Sequence, residues 1–295
     1  MILGPCLGYG GGKINIREAR NMKSFGVVLI ICIVLLVGLR FFSRKLLYFP
    51  DSVSRSRLDY LKKNFDGVKQ ISIPIEKKLS LHGWLIEKDM ENLPVIFYFG
   101  GNAEEVSLNI EEFVQKLDAN VVMVNFRGFG QSQGSPSETT MKSDALAIYD
   151  LMAERYNIPP GRAVAWGRSI GSSIACFLAL ERGLSGLMLT CPFDSIESVA
   201  ASYYPRWLVG MVLEDKHRTI DFSSRIKAST LILAARADEV IPQKNTLELY
   251  GSLTCPKELL YIDGAGHNTI SQFDAYYGAV NLFLGVTPKV DKPLF

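Results

Sequence analysis

The sequence predicts an α/β fold with a mostly parallel central sheet, helices on both faces, and one transmembrane helix before the sheet. Two observations support this prediction. From about residue 68, strand-like and helix-like stretches alternate, which is typical of a parallel sheet covered on both sides. An uncharged apolar segment precedes them. With 295 residues, the chain is long enough for one large domain with a sizeable core.

The apolar segment Phe25–Leu39 carries no charge. Extended through Arg40 to Phe42, the segment has 18 residues. As a helix it would measure roughly 27 Å, just enough to cross a hydrocarbon core. Arg40 can extend its charge to the headgroups. A cleaved signal peptide is the alternative, but no small-residue cleavage site follows. We therefore expect residues 1–23 to form a tail and residues 24–42 to form a single-pass membrane anchor. Positively charged residues lie on both sides of this anchor, so the sequence does not indicate its orientation.

Strand and helix patterns then follow one another. Gln70–Glu76 alternates polar and apolar residues as a half-buried strand does, and Ser80–Lys88 is its predicted hairpin partner. The apolar runs Pro94–Phe99 and Asn120–Phe126 are typical of strands buried on both faces. Further strands are predicted at 163–166, 186–190, 230–235 and 258–262, and helices at 103–117, 139–155, 170–181, 246–251 and 271–284.

No internal repeat or low-complexity linker follows residue 45. We therefore expect one domain over residues 46–286 and a C-terminal tail at 287–295. Between Thr190 and Thr230 lie 39 residues without a strand pattern. This insertion is either a small lid at residues 193–228 over the active site or an ordinary connecting helix with a surface loop.

Composition excludes several classes of function. The net charge is +2 without a basic stripe, so we expect no nucleic-acid partner. The five cysteines are irregularly spaced and indicate neither a disulfide framework nor a zinc ribbon. No cluster of His, Cys or Asp has ligand spacing along the chain, so we expect neither a metal nor an organic cofactor.

A G-x-S-x-G pattern occurs as Gly167-Arg168-Ser169-Ile170-Gly171. The pattern alone is weak, but a predicted strand runs straight into it and an apolar helix leaves it. In that context the serine lies on a strained strand-to-helix turn, which small flanking residues allow. Its hydroxyl then lies near a helix N-terminus, which favours developing negative charge. We predict that Ser169 is a nucleophile.

A serine nucleophile needs a base, and the base needs an orienting acid. Of the three histidines, His82 lies in the early hairpin and His217 in the insertion. His267 follows the last predicted strand, and ligands meet an open α/β sheet at the carboxyl ends of its strands. His267 is therefore the predicted base.

The predicted acid is Asp238, which also follows a strand and gives the chain order Ser…Asp…His. Asp263 and Glu239 are alternatives. For the oxyanion of the reaction we predict two backbone N–H donors. One belongs to Ile170, just after the nucleophile, and the other to Asn102, in the glycine-containing loop after the strand Pro94–Phe99.

Eight motifs follow one another between residues 46 and 285: LLYFP (46–50), LHGW (81–84), FGGNAE (99–104), NFRGFGQSQG (125–134), GRSIGS (167–172), CPFDS (191–195), ARADEVIP (235–242) and GAGHN (264–268). Together they resemble the alpha/beta-hydrolase superfamily, and most of all its membrane-anchored subgroup related to serine-aminopeptidase and monoacylglycerol-lipase-like domains. The resemblance implies the alpha/beta-hydrolase fold and an acyl-enzyme route, with Ser169, Asp238 and His267 in the roles above. Two departures are Gly100-Gly101, where the family often has His-Gly, and Ser172, where glycine is frequent.

Three functions are compatible with these residues. The first is a membrane-anchored hydrolase that cleaves a carboxylic ester or thioester of a small-molecule or lipid-like acyl substrate. The second is a peptidase of the aminopeptidase type, in which Glu197, Glu214 or Asp215 would hold the substrate amine. We expect those three carboxylates to form a solvated face instead. The third is a non-catalytic, membrane-tethered binding protein on the same fold.

Overall fold

The computed structural model describes residues 16–76 and 79–285, with side chains from residue 24 onward. The strands are β1 (Val68–Glu76), β2 (Leu79–Ile86), β3 (Val95–Phe99), β4 (Asn120–Val124), β5 (Ala163–Arg168), β6 (Gly186–Thr190), β7 (Ser229–Ala235) and β8 (Lys257–Ile262). The α-helices in the described residues are α1 (Ile16–Leu47), α2 (Arg55–Asn64), α3 (Ile110–Lys116), α4 (Glu138–Tyr156), α5 (Ile170–Glu181), α6 (Ile196–Ala200), α7 (Arg206–Val212), α8 (Gln243–Ser252) and α9 (Asp274–Phe283). The predicted tail at 287–295 and most of the predicted tail at 1–23 lie outside the described residues.

The strands form one eight-stranded sheet in the order β1-β2-β4-β3-β5-β6-β7-β8. The hairpin β1–β2 joins the edge of the sheet antiparallel to β4, and every pairing from β4 to β8 is parallel. Helices α3 and α9 pack on one face, and α4, α5 and α8 pack on the other. The predicted fold class, a mostly parallel sheet with helices on both faces, is confirmed.

Strand β3 shows why the central strands read as continuous apolar runs. Its side chains alternate between two cores: Phe97 contributes to the core under α4 and α5, whereas Ile96 and Tyr98 contribute to the core under α3 and α9. Both faces are dry, so an apolar residue is required at every position.

Two predicted helices begin later than the sequence pattern indicated. The helix expected from residue 103 starts as a 3-10 turn at Val106–Asn109 and becomes α-helical at Ile110. The Glu105 carboxylate accepts a hydrogen bond from the Ser107 backbone N–H, which holds this turn. The helix expected from residue 271 follows a 3-10 turn at Ile270–Gln272.

Helix α1 contains the segment Ser24–Leu47, which is long and apolar enough to cross a membrane and leaves its most apolar window unburied. The last turns of α1 pack against α7 of the insertion. The insertion itself consists of α6, α7 and short 3-10 turns. Its role as a lid stays a prediction.

Candidate active site

Ser169 lies at the turn between β5 and α5 with φ 51° and ψ −120°, a strained conformation for a residue with a side chain. The neighbouring chain passes very close. A Cβ added to Gly167 would lie 2.3 Å from the carbonyl oxygen of Gly171, and one added to Gly171 would lie 2.1 Å from that of Phe99. Both glycines of the pattern are therefore required by the backbone that raises Ser169 above the sheet.

Three predicted side chains converge at the carboxyl ends of the strands. The Ser169 hydroxyl oxygen lies 3.1 Å from Nε2 of His267. Nδ1 of the same ring lies 2.9 Å and 3.1 Å from the two carboxylate oxygens of Asp238. The His267 and Asp238 side chains are only 6% and 5% exposed. Such a chain of contacts suits proton transfer from the hydroxyl to the ring.

The loop after β7 orients Asp238. Its Oδ1 accepts hydrogen bonds from the backbone N–H groups of Val240 and Ile241, at 2.9 Å and 2.7 Å. Burial opposes ionisation of Asp238, but the hydrogen bond and positive potential of His267, with these backbone donors, outweigh it and lower the carboxyl pKa. The carboxylate is thereby kept charged beside the ring.

The two alternative acids face elsewhere. Asp263 is exposed and pairs with Arg236 at 3.1 Å. Glu239 accepts a hydrogen bond from the backbone N–H of His267 at 3.1 Å, which steadies the loop and leaves the ring to Asp238. Of the three candidate acids, Asp238 is the one in contact with the imidazole.

The predicted oxyanion donors lie on loops beside Ser169. Ile170 is the first residue of α5, and Asn102 follows β3 and lines the cavity that contains Ser169. Among the described residues, neither backbone N–H has a hydrogen-bond partner, so both are available to a substrate oxygen. Their role stays a prediction.

Sequence reasoning missed an ion pair under this site. The Arg168 guanidinium donates to Glu104 Oε2 and to Asn268 Oδ1, both at 2.8 Å. The same Glu104 oxygen accepts the Gly101 N–H at 2.9 Å. Burial opposes the charge of Glu104, yet Arg168 and the other donors outweigh it and lower the pKa of this carboxyl. The pair thus ties the turn at Ser169 to the Asn102 loop and to the loop that carries His267.

Arg168 belongs to the motif GRSIGS, and Glu104 belongs to the motif FGGNAE. Their contact joins residues 64 positions apart, and no local pattern reveals it. Gly100-Gly101 stand where the resemblance led us to expect His-Gly, and Glu104 is the side chain that contacts this loop. Its carboxylate binds the Gly101 N–H directly and so shapes the loop.

A cavity of about 400 Å³ opens over Ser169 and His267. This volume lies within the roughly 300–1,000 Å³ of small-molecule sites. Its walls combine polar and charged side chains with apolar and aromatic ones, and include Tyr98, Asn102, Glu104, Leu108, Phe113, Arg168, Val240, Ile270, Tyr276 and Tyr277.

The insertion contributes to a buried polar cluster with Tyr48 and Ser173. His217 is fully buried, and its ring contacts the Ser173 hydroxyl at 2.7 Å and the Tyr48 hydroxyl at 2.8 Å. Burial lowers the pKa of His217 to about 4, so the ring is neutral at pH 7. Asp215 is 4% exposed and binds Tyr48 and Arg44. The expectation that Asp215 belongs to a solvated face is therefore wrong, because the end of α1 covers it.

Cys191 adds a third potential metal ligand beside Asp238 and His267. Atoms of Cys191, Asp238 and His267 all lie within 4.8 Å of one another, a proximity that sequence spacing did not indicate. Metal binding would require the Cys191 thiolate, and burial raises the pKa of this thiol. Binding through Nδ1 of His267 would also displace the contact of that atom with Asp238. The arrangement therefore suits proton transfer better than metal binding.

Comparisons with known proteins agree with this fold. A family model described as the alpha/beta hydrolase fold matches residues 94–221. The alpha/beta hydrolase domain-containing protein WAV2 of Arabidopsis thaliana is 30% identical over 258 residues, covering 77% of this chain and 79% of that protein. Protein bem46 of Schizosaccharomyces pombe is 25% identical over 92% of this chain and 93% of its own length. The structure of the Pyrococcus furiosus esterase Pf2001 superposes with a TM-score of 0.65 at 20% identity, covering 81% of this chain and 97% of that one.

Proposed function

The chain belongs to the alpha/beta hydrolase family, and we propose that it is a membrane-anchored serine hydrolase that cleaves carboxylic esters or thioesters. One observation carries the proposal: the contacts from Ser169 to His267 and on to Asp238, at 3.1 Å and 2.9 Å. A neutral serine is a weak nucleophile, and this arrangement supplies the base and the acid that it lacks.

In the proposed reaction, Nε2 of His267 takes the hydroxyl proton as Oγ of Ser169 bonds to the substrate carbonyl carbon. The carbonyl oxygen becomes an oxyanion, which accepts hydrogen bonds from the Asn102 and Ile170 N–H groups. When the adduct collapses, the bond to the alcohol or thiol breaks and His267 returns the proton to that leaving group. Water then attacks the acyl-enzyme by the same route and releases the acid and Ser169. Asp238 stabilises the imidazolium at each transfer.

The proposed anchor is residues 24–42, within α1. Its apolar side chains are exposed, and a hydrocarbon environment removes that surface from water. The contacts at the end of α1 favour a retained anchor over a cleaved signal peptide. Arg40 donates to the Met211 carbonyl at 3.3 Å, and Arg44 binds Asp215 through two nitrogens. An enzyme held there is close to lipid acyl chains, which supports a lipid-derived acyl substrate.

Charge favours ester or thioester cleavage over an aminopeptidase activity. Glu197 pairs with Lys216 and Arg218, and Asp215 pairs with Arg44. Glu214 lies 3.5 Å from Arg44, and none of these three acids lines the cavity at Ser169. Glu104 does line this cavity, but Arg168 pairs with its carboxylate at 2.8 Å. A substrate ammonium there would therefore lack the unpaired carboxylate that such a peptidase needs.

Purified full-length chain in detergent should hydrolyse acyl thioesters and acylglycerols, and Ser169→Ala should lower kcat by at least about 10³-fold. Release of amino acids from peptide amides, with esters untouched, would favour the peptidase. No turnover by folded wild-type protein would favour the binding protein. Hydrolysis of short soluble esters alone would contradict the lipid-derived substrate. Alkaline extraction of membranes tests the anchor separately, since an anchored chain stays in the pellet.

A further inference from the structure

A second cavity, of about 500 Å³, lies between the end of α1 and the insertion. We call it the α1–insertion groove. Leu39 and Leu46 belong to its α1 wall, and Ala200, Leu208 and Val212 to its insertion wall. Polar links hold these walls together, since Arg44 binds Asp215 and the Tyr48 hydroxyl binds the same carboxylate at 3.0 Å. The groove is therefore a built feature with fixed walls.

Two of the residues that line the groove, Ser43 and Tyr204, carry a hydroxyl, and Tyr204 is 63% exposed. Ser43 lies on the α1 wall and is 4% exposed. Its hydroxyl has no hydrogen-bond partner within the described part of the chain. Buried hydroxyls nearly always have a hydrogen-bond partner. An unpaired hydroxyl that lines a cavity therefore indicates a bound ligand with an acceptor atom. A mainly apolar groove with one buried, unpaired hydroxyl matches a hydrocarbon chain that ends in a carbonyl group.

The position of the groove indicates where such a chain comes from. Leu39 lies within the proposed anchor, residues 24–42, and Leu46 lies just beyond it, so the groove crosses the edge of the hydrocarbon layer. Residues of α1 before the groove, such as Leu35, are more than half exposed and would face lipid. A lipid tail is therefore the apolar ligand that meets the groove at this depth.

We propose that the α1–insertion groove binds the acyl chain of a bilayer lipid, with the Ser43 hydroxyl donating to the lipid carbonyl oxygen. The proposal rests on the anchor in the proposed function, but it does not require hydrolysis. The bound lipid would also lie beside the active site. Leu47 lines the groove, and its carbonyl accepts a hydrogen bond from the Asn102 side-chain amide at 2.8 Å. A filled groove thus steadies the segment that contacts the Asn102 loop.

The test uses a photoreactive diazirine analogue of palmitic acid and the full-length Ser169→Ala chain in detergent, so that catalysis plays no part. We expect saturable labelling of α7 residues that line the groove, with competition by palmitic acid. Ala200→Trp should fill the groove and remove most of this labelling. The matched control Ser202→Trp adds the same side chain at an exposed position and should leave the labelling intact.

Ser43→Ala adds a second readout. It should weaken binding roughly two- to tenfold, the effect of one hydrogen bond. It should not lower the Tm of the lipid-free chain, because the hydroxyl has no protein partner there. Non-saturable labelling along the exposed face of α1, unchanged by Ala200→Trp, would overturn the proposal. The labelling result is independent of the proposed function. Hydrolysis by the wild-type chain tests the catalytic activity, and alkaline extraction tests the anchor.

Discussion

The backbone N–H of Phe49 donates to the carbonyl oxygen of Asn102 at 2.8 Å. The Asn102 side-chain amide returns a hydrogen bond to the Leu47 carbonyl at 2.8 Å. The segment that follows α1 is thus joined to the loop that carries a predicted oxyanion donor. Contacts that immobilise the end of α1 therefore also restrict the motion of the Asn102 loop.

Asn102→Ala should test this connection, because it removes the side-chain amide but keeps the backbone N–H. Loss of an oxyanion donor costs roughly 10²–10³-fold in kcat, and loss of its positioning should cost less, about tenfold. We expect kcat to fall with little change in KM, measured by ester hydrolysis. An equal fall after Asn64→Ala, an exposed residue on α2, would show that the effect is not specific to this loop.

Asp238→Asn should lower kcat by about 10³–10⁴-fold, because an amide favours the wrong tautomer of the His267 ring. Asp263→Asn is the matched control, since Asp263 is 86% exposed and pairs with Arg236. It should leave kcat unchanged. If Asp263→Asn proved the more damaging variant, the assignment of the acid would be wrong.

Gly171→Ala should abolish activity or prevent folding, because its Cβ would lie 2.1 Å from the Phe99 carbonyl oxygen. Gly183→Ala makes the same change where nothing lies within 4 Å, and should be neutral. Thermal unfolding and hydrolysis of both variants check this. A fully active Gly171→Ala chain would contradict the tight turn at Ser169.

His217 should make stability depend on pH. Burial lowers its pKa from 6.5 to about 4, against the opposing charges of Glu138 and Asp215. The unfolded chain therefore gains a proton below pH 6.5 that the folded chain gains only near pH 4. This contribution is fully present above about pH 6.5 and is lost as the pH falls to 4, by on the order of 3 kcal/mol.

Thermal unfolding at pH 7.5 and pH 5 measures this dependence. His217→Gln should lower Tm at pH 7.5 and reduce the difference between the two pH values. His82 provides the control, since burial also lowers its pKa but it contacts Gln70, away from the insertion. In His82→Gln, the contribution of His217 to the Tm difference between pH 7.5 and pH 5 should remain. A His217→Gln chain with an unchanged pH dependence would contradict the neutral buried ring.

The ion pair of Arg168 and Glu104 should also be visible in stability. Arg168→Met leaves the Glu104 carboxylate buried without a counter-charge, which typically costs about 3–5 kcal/mol. Arg168→Met with Glu104→Gln should be less destabilised than Arg168→Met alone. Chemical unfolding of the single and double variants measures the coupling free energy. Strictly additive effects on the free energy of unfolding would show that the two side chains do not stabilise each other.

The sequence was sufficient where a residue's environment is set by its neighbours along the chain. The continuous apolar runs of β3 and β4 are typical of strands covered on both faces, and Gly167 and Gly171 mark the turn at Ser169. The same reasoning located Asp238 and His267 after strands, and parallel strands end at one edge of the sheet.

The remaining features depend on contacts between distant segments. The contact between Tyr48 and His217 spans 169 positions, and periodicity carries no record of it. Asp215 looked solvated because its neighbours Glu214 and Lys216 are polar, whereas the end of α1 buries it. The late start of the helix at Ile110 follows from the Glu105 side chain competing for the backbone.

The most direct measurement is the mass-spectrometric mapping of a fluorophosphonate adduct on the purified full-length chain. We predict one adduct per chain, on Ser169, which disappears in Ser169→Ala and forms much more slowly in His267→Ala. An adduct on another residue, or a folded wild-type chain that takes up no probe, would contradict it.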